Sequence, residues 1–237
     1  MVIDPHELSH NLERLEGIEK ASLRLVTQAI YEYREVAAEI FREEGDLVAD
    51  IGEDITREAL DRLGMSRIDQ RLFGKIDYKR ARYVFHPEYA IKQALFVDSK
   101  AEQVQGARTA TLQTSQLSMA VRQRRMGEDM DVPGKLPPIL VLKGEPYLTT
   151  TIFVKYNYDD SGTTKRLESI TVAALPNGML QERYNPSPHD TIWLAGRDAP
   201  SRGEAFRVRL AFSRLKAKAN WRVQLIPGAP EPFEWDD

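Results

Sequence analysis

The chain of 237 residues contains no cysteine. That excludes disulfides and thiolate metal sites. Histidine is almost as scarce: His6, His10, His86 and His189 lie scattered, without the spacing of an imidazole metal centre. Long apolar runs are missing too, and no stretch approaches the roughly 18 residues of a membrane span. The opening "MVIDPHELSH" lacks the basic and apolar blocks of a signal peptide. These absences set the expectation of a cytoplasmic protein. Charge of one sign is also lacking: the net is −3, too small for the total to mark a nucleic-acid binder.

What is present is enough for a single core, since 42% of the residues are apolar. The distribution of charge says more than its sum. Residues 1–64 carry 16 acidic and 7 basic side chains, a net of −9, so the remainder carries +6. Within that remainder, residues 196–222 hold eight basic and two acidic residues, Asp198 and Glu204. One reading is a solvated surface; the other is an acidic structural or oligomerisation segment joined to a face that meets phosphate.

From Glu7 to Glu44 apolar residues recur at helical spacing, with Gly17 expected to separate two helices. "GEDITREALDRLG" predicts another helix, capped by Asp54 or Thr56 and ended by Gly64. After Gly74 the texture changes. "IDYKRARYVF" and "ALFVDSKA" read as strands joined by the short connection "HPEY". "TATLQTSQLSMAVRQRRM" reads as a helix with Leu112, Leu117 and Val121 inward. The loop "DVPGKLPP" leads to strands "TTTIFVKYNY" and "SITVAALP", with "DDSG" between them. "EAFRVRLAFSRL" alternates strictly, and "WRVQLI" gives a last short strand. Tyr156 and Tyr158 are expected to pack the sheet rather than stack on bases. The order predicts a single α/β (α+β) domain over residues 1–237, with 1–64 an acidic helical segment and 71–226 a mixed sheet region flanked by helices.

One stretch raises a chemical question. Residues 94–97 ("ALFV") run as a buried strand straight into Asp98, Ser99 and Lys100. An acid-x-Lys triplet is weak by itself, since about two are expected by chance and two occur, at Asp77–Lys79 and Asp98–Lys100. Context separates them, because only the second follows an unbroken apolar run. The first contributes Asp77, at the end of "FGKID", on a strand expected to pair with the next. Two carboxylates near 4 Å repel by roughly 4 kcal/mol at an effective dielectric of 20, so both stay ionised only around a cation. Oxygen-only ligands favour a hard ion such as Mg²⁺, with Mn²⁺ as a substitute. Asp98 and Lys100 share a strand face. Ser99 offers its main-chain carbonyl, and Glu53 or Glu58 of the upstream helix an extra carboxylate. Ordinary salt bridges at strand ends are the competing reading, and these residues alone leave both open.

The acid on one strand followed by "DSK" at the end of the next resembles the motif of the PD-(D/E)xK nuclease superfamily. The ordered set "FGKIDYKRAR", "LFVDSKAE", "TLQTSQLSM", "QERYNPSP" and "SRGEAFRVRL" is similar to the SfiI-like type II restriction endonucleases, relatives of the BglI-like enzymes. The similarity runs from the N-terminal helices to about residue 218. Ile76 stands where the motif's name has proline, and the chain ends soon after "WRVQLI". The resemblance implies the restriction-endonuclease fold, with Asp77, Asp98 and Lys100 as catalytic triad. It implies Mg²⁺-dependent hydrolysis of double-stranded DNA at an interrupted GC-rich palindrome of the GGCC-N5-GGCC kind, leaving 5′-phosphate and 3′-hydroxyl ends. It implies a homo-oligomer, a tetramer for the closer relatives and a dimer for the more distant ones. Another nuclease of the superfamily acting in repair or on junctions, or a non-catalytic DNA-binding protein, are the alternatives.

For base reading the candidate is residues 204–214, expected as one strand with Phe206, Val208, Leu210 and Phe212 on the core face and Arg207 and Arg209 on the other. A two-stranded ribbon enters a major groove, where Arg makes bidentate contacts with guanine. An edge strand blunted by charge is the alternative. Lys75, Lys79, Arg80, Arg82 and the "RQRR" run at 122–125 are candidates for phosphate. Gln113 and Gln116 face either DNA or solvent.

Overall fold

The computed structural model describes residues 2–43, 48–64, 82–86, 88–106, 108–195 and 207–237. After a 3-10 turn at Pro5–His10, the apolar repeat at the N-terminus folds as one helix, α1 (Leu12–Glu43), without the break expected at Gly17. Gly17 serves a close approach instead: a Cβ there would lie 3.1 Å from the Tyr89 hydroxyl. The second helix, α2 (Val48–Arg62), starts before both of its expected caps. Thr56 is inside it, buried, with its hydroxyl 2.9 Å from that of Tyr156. Gly64, with φ of +69°, ends the helical segment as anticipated.

The strands then follow: β1 (Arg82–His86), β2 (Ile91–Gln103), β3 (Thr109–Leu112), β4 (Val121–Arg125), β5 (Glu128–Val132), β6 (Ile139–Leu142), β7 (Glu145–Asp159) and β8 (Arg166–Leu175). A short α3 (Gln181–Tyr184) precedes β9 (Trp193–Ala195), β10 (Val208–Ala211), α4 (Phe212–Lys218) and β11 (Val223–Pro227). The main sheet has six strands in the order β1-β2-β7-β8-β11, with β6 also pairing to β7. β1 and β2 form the expected antiparallel hairpin, from His86 opposite Ile91 to Arg82 opposite Leu95. β2 and β7 run parallel, with Asp98 opposite Phe153 and Lys100 opposite Lys155. A second sheet of three strands orders β3-β10-β9, and β4-β5 is a separate hairpin.

Strand alternation sorts the side chains onto two faces. On one, Leu95, Ile152, Val154, Tyr156, Val172 and Ala174 pack against α2 and the part of α1 that begins at Leu23. Tyr156 and Tyr158 both lie against Phe41, so they pack the sheet as expected. The other face carries Phe153 and Ala173, covered by Ala110 and Leu112 of β3, Val208 and Leu210 of β10, and Trp193. The outcome is an α+β domain with a mixed central sheet between helices and a smaller sheet.

Two expectations need correction. The segment after β2 is not a helix: it is β3, a 3-10 turn at Thr114–Gln116, and β4. Leu112, Leu117 and Val121 are buried as expected, but Thr109 and Thr111 alternate with buried Ala110 and Leu112, a period of two favoured by β-branched residues. Residues 204–214 are not one strand either. β10 spans only Val208–Ala211, and α4 takes over at Phe212, where Arg214, Leu215 and Lys216 are good helix formers. Residues 204–206 lie outside the described residues.

The main sheet is tied to α1 by a buried ion pair. Arg222 donates to Glu19 at 2.6 Å, and neither side chain is exposed. The Asn177 N–H also donates to Glu19, at 2.8 Å, and Arg222 stacks on Tyr184 and Trp221. Burial pushes the Glu19 carboxyl up against the pull of Arg222. Removing one partner of such a pair strands the other charge. Arg222→Met is therefore expected to cost about 3–5 kcal/mol in urea unfolding, and adding Glu19→Leu to restore much of it.

Candidate active site

The site is built on the second half of β2, which does not end at the polar residues as expected but stays paired to β7 as far as Gln103. The apolar run at 94–97 makes it a buried strand of the main sheet, flanked by β1 and β7, and its inner face then presents Asp98, Lys100 and Glu102 in succession. Ser99 points the opposite way and is buried. The backbone at this point is fixed from behind by α2: a Cβ on Gly52 would lie 3.1 Å from both the Lys100 carbonyl carbon and the Ala101 nitrogen. Only glycine lets the helix come so close without a shift of strand or helix.

Asp98 is 6% exposed. Its Oδ2 accepts a hydrogen bond from the Gln116 side-chain amide. Lys100, half-buried, donates from Nζ to the main-chain carbonyl of Thr111. On the neighbouring strand, Lys155 is wholly buried; its Nζ donates to the Thr109 carbonyl at 2.6 Å and pairs with Glu102 at 2.6 Å. Burial pushes the Lys155 ammonium pKa down, and the bond to Glu102 opposes that shift. Two lysines of the main sheet thus hold alternate carbonyls of β3. β3 in turn pairs with β10, with Thr111 opposite Arg209 and Leu112 opposite Val208. Base-reading and hydrolytic candidates meet across one strand.

The other expected residues divide. Arg207 and Arg209 are half-buried, Arg209 on β10 and Arg207 immediately before it. Gln113 is half-buried at the start of the 3-10 turn. Gln116, expected to face DNA or solvent, is buried with its amide on Asp98. Arg82 does not present itself to phosphate: it is buried and bonded to Asp61 at 2.7 Å. The "RQRR" run is split by strand alternation, with Gln123 buried and Arg122 paired to Asp131 and Glu182. Glu53 and Glu58 are both exposed on α2, Glu53 next to Gly52. Asp77, Lys75, Lys79 and Arg80 lie outside the described residues.

Sequence reasoning missed Lys155 and Glu102 altogether. The available signal was a lone lysine inside the apolar run "TTTIFVKYNY", which has to be paired if it is buried. Glu102 shares the strand parity of Asp98 and Lys100. Among the described residues no group of three or more metal-ligating side chains gathers. What does fit a cation is the chemistry of the donor: a buried carboxylate on a strand of the main sheet, with no sulfur or imidazole of the described residues beside it, suits a hard divalent ion.

The family model described as type II restriction enzyme SfiI matches residues 3–226. The type II restriction enzyme SfiI of Streptomyces fimbriatus is 38% identical, over 93% of this chain and 86% of its own. A crystal structure of tetrameric restriction endonuclease SfiI bound to cognate DNA superposes with a TM-score of 0.82 at 36% identity, covering 100% of this chain and 91% of the other. Restriction endonuclease BglI bound to its DNA recognition sequence gives 0.75 at 18% identity, over 95% and 94%, a likeness of fold. The chain belongs to the SfiI family of type II restriction enzymes.

Proposed function

We propose that this restriction enzyme hydrolyses double-stranded DNA with Mg²⁺ at an interrupted GC-rich palindrome, with Asp77, Asp98 and Lys100 as its catalytic residues. The observation that carries the reading is Asp98 and Lys100 side by side on one face of a buried strand, the face that meets the Arg209-bearing sheet. The SfiI resemblance over nearly the whole chain adds the substrate class.

In this reading Asp98 and Asp77 hold the ion, with the Ser99 carbonyl and Glu53 as further oxygen donors. Chain length permits the pairing of acids. Arg82 lies opposite Leu95, three residues before Asp98, and the five residues from Asp77 to Arg82 reach up to about 17 Å. When bound, Mg²⁺ neutralises charge that builds on the phosphoryl oxygens. Lys100 orients the attacking water and offsets negative charge in the transition state. An ammonium has three donors, so holding Thr111 and orienting a water are compatible. The water oxygen bonds to phosphorus, the P–O3′ bond breaks, and O3′ takes up a proton. That leaves a 5′-phosphate and a 3′-hydroxyl.

Arg207 and Arg209 read guanine O6 and N7 in the major groove, while Lys79 and Arg80 hold phosphates and Gln113 lies at the edge of the contact. The tetramer named for SfiI supports a tetramer here, with a dimer as the alternative. Among the described residues no helix is long and apolar enough to cross a membrane, and DNA as substrate suits the cytoplasm.

Incubating the protein with long mixed-sequence DNA and Mg²⁺ is expected to give discrete bands. A smear would mean a nonspecific nuclease; a sequence-selective shift without cleavage would mean a binder. Asp98→Ala and Asp77→Ala are each expected to abolish cleavage while DNA binding in Ca²⁺ persists, and undiminished turnover in either removes that residue from the triad. Arg209→Ala and Arg207→Ala are each expected to cost about 1–3 kcal/mol at particular base pairs, read from competition with substituted sites. Equal losses on specific and random DNA would reassign them to phosphate.

A further inference from the structure

We infer that Gln116 is a positioning residue: it sets the Asp98 carboxylate for its cation and ties that setting to the base-reading sheet. The inference rests on the nuclease reading of Asp98.

The orientation of the Gln116 amide follows from its partners. A carboxylate only accepts and a backbone N–H only donates, so the nitrogen faces Asp98 and the oxygen faces Gln113. Nε2 donates to Asp98 Oδ2, and Oε1 accepts the Gln113 N–H at 2.6 Å. The side chain is buried, 6% exposed, and held at both ends. A carboxylate that binds a cation through one or two lone pairs needs its plane fixed, and a hydrogen bond from the protein fixes it. A neutral amide does this without bringing a positive charge that would compete with the ion. Arginine or lysine in the same place would satisfy Asp98 and weaken its hold on a metal.

The turn that carries Gln116 is itself rigid. Lys135 N–H donates to the Thr114 carbonyl at 2.9 Å, and Leu136 N–H to the Leu117 carbonyl at 3.0 Å. A Cβ at Gly134 would lie 2.3 Å from the Leu117 oxygen, so the loop behind the turn presses on its backbone. On its other side the turn continues β3 directly, four residues from Leu112, which pairs with β10 at Val208. The donor on Asp98 is thus joined to the Arg209-bearing sheet by four residues of hydrogen-bonded chain. The same strand is held by Lys100 and Lys155 at its carbonyls.

The test uses the full chain bound to DNA, with Ca²⁺ as the probe. Calcium affinity is read by calorimetry, and DNA affinity without metal is read separately. Gln116→Met keeps length and removes the donor; its Ca²⁺ dissociation constant is expected to rise about 10–100-fold, with metal-free DNA affinity within about twofold of wild type. Gln116→His, which keeps a ring N–H, is expected to recover part of that loss. Should Gln116→Met fail to fold, Gln116→Asn, one methylene too short to reach Asp98, takes its place with the same expected loss. Unchanged Ca²⁺ affinity in the donor-free variant overturns the inference. So does an equal loss of DNA affinity with and without Ca²⁺, which would make Gln116 a DNA contact, and so does a histidine variant no better than methionine. Asp98→Ala separates the two levels. If it binds Ca²⁺ as wild type does, the nuclease reading of the site fails; if it loses binding while Gln116→Met keeps it, only the inference fails.

Discussion

Charged side chains on the inner face of two buried strands have to be satisfied, and β3 satisfies them. Lys100 and Lys155 sit opposite each other on β2 and β7, and a buried ammonium without partners is costly. The Thr111 and Thr109 carbonyls supply those partners along an edge of the second sheet. The hydrogen-bonding requirement of two lysines thereby adds to the apolar packing of Ala110, Leu112, Val208 and Leu210 in docking the small sheet. Because β3 carries β10 beside it, the position of Arg209 relative to Asp98 is set by the same bonds. An enzyme that cuts only at its own sequence needs that distance fixed, since a misplacement of an ångström at the reacting atoms is expensive.

The opposite face answers to different forces. There the contacts are apolar, Leu95, Ile152, Val154 and Tyr156 against the helices, and the polar exceptions are paired. The Tyr156 hydroxyl finds Thr56, and Glu19 finds Arg222 and the Asn177 N–H. Gly52 lets α2 rest on the backbone of Lys100 and Ala101. β2 is thus held by backbone contact behind, while in front polar contacts to β3 join the apolar packing of the small sheet on its neighbours. Neither side leaves it room to adjust without moving the other.

This division explains what could be read in the sequence. The β1–β2 hairpin and the two long strands that follow were legible, because a continuous apolar run bounded by turn residues reports a buried strand whatever surrounds it. Asp98 and Lys100 stood out for the same reason: polar residues at the end of such a run need a use. Periodicity failed where both readings share the same inward residues. Leu112, Leu117 and Val121 are buried in a strand-turn-strand just as they would be in a helix, and only the Thr109–Thr111 alternation favours the former. Gly17 misled because a glycine packed close to the Tyr89 hydroxyl looks in sequence like a glycine that ends a helix. Lys155 and Gln116 were hidden for a deeper reason. Their roles come from partners 46 and 18 residues away, Thr109 and Asp98, which no local pattern encodes. Asp77, Lys79 and Arg80, read from the motif, lie outside the described residues and remain part of the proposal.

The charge asymmetry of the sequence acquires a direction from the fold. The segment 1–64, net −9, supplies α1 and α2, and α2 with the α1 residues from Leu23 onward covers the face of the sheet away from β3 and β10. The remainder, net +6, includes the β10 region with its basic residues. The helices and the small sheet lie on opposite faces of the main sheet, two layer spacings or about 20 Å apart, more than twice the screening length of about 8 Å at physiological salt, so each surface presents its own charge. A polyanion is expected to meet most repulsion on the helical side and least on the side that carries Arg207 and Arg209, the residues proposed to read bases.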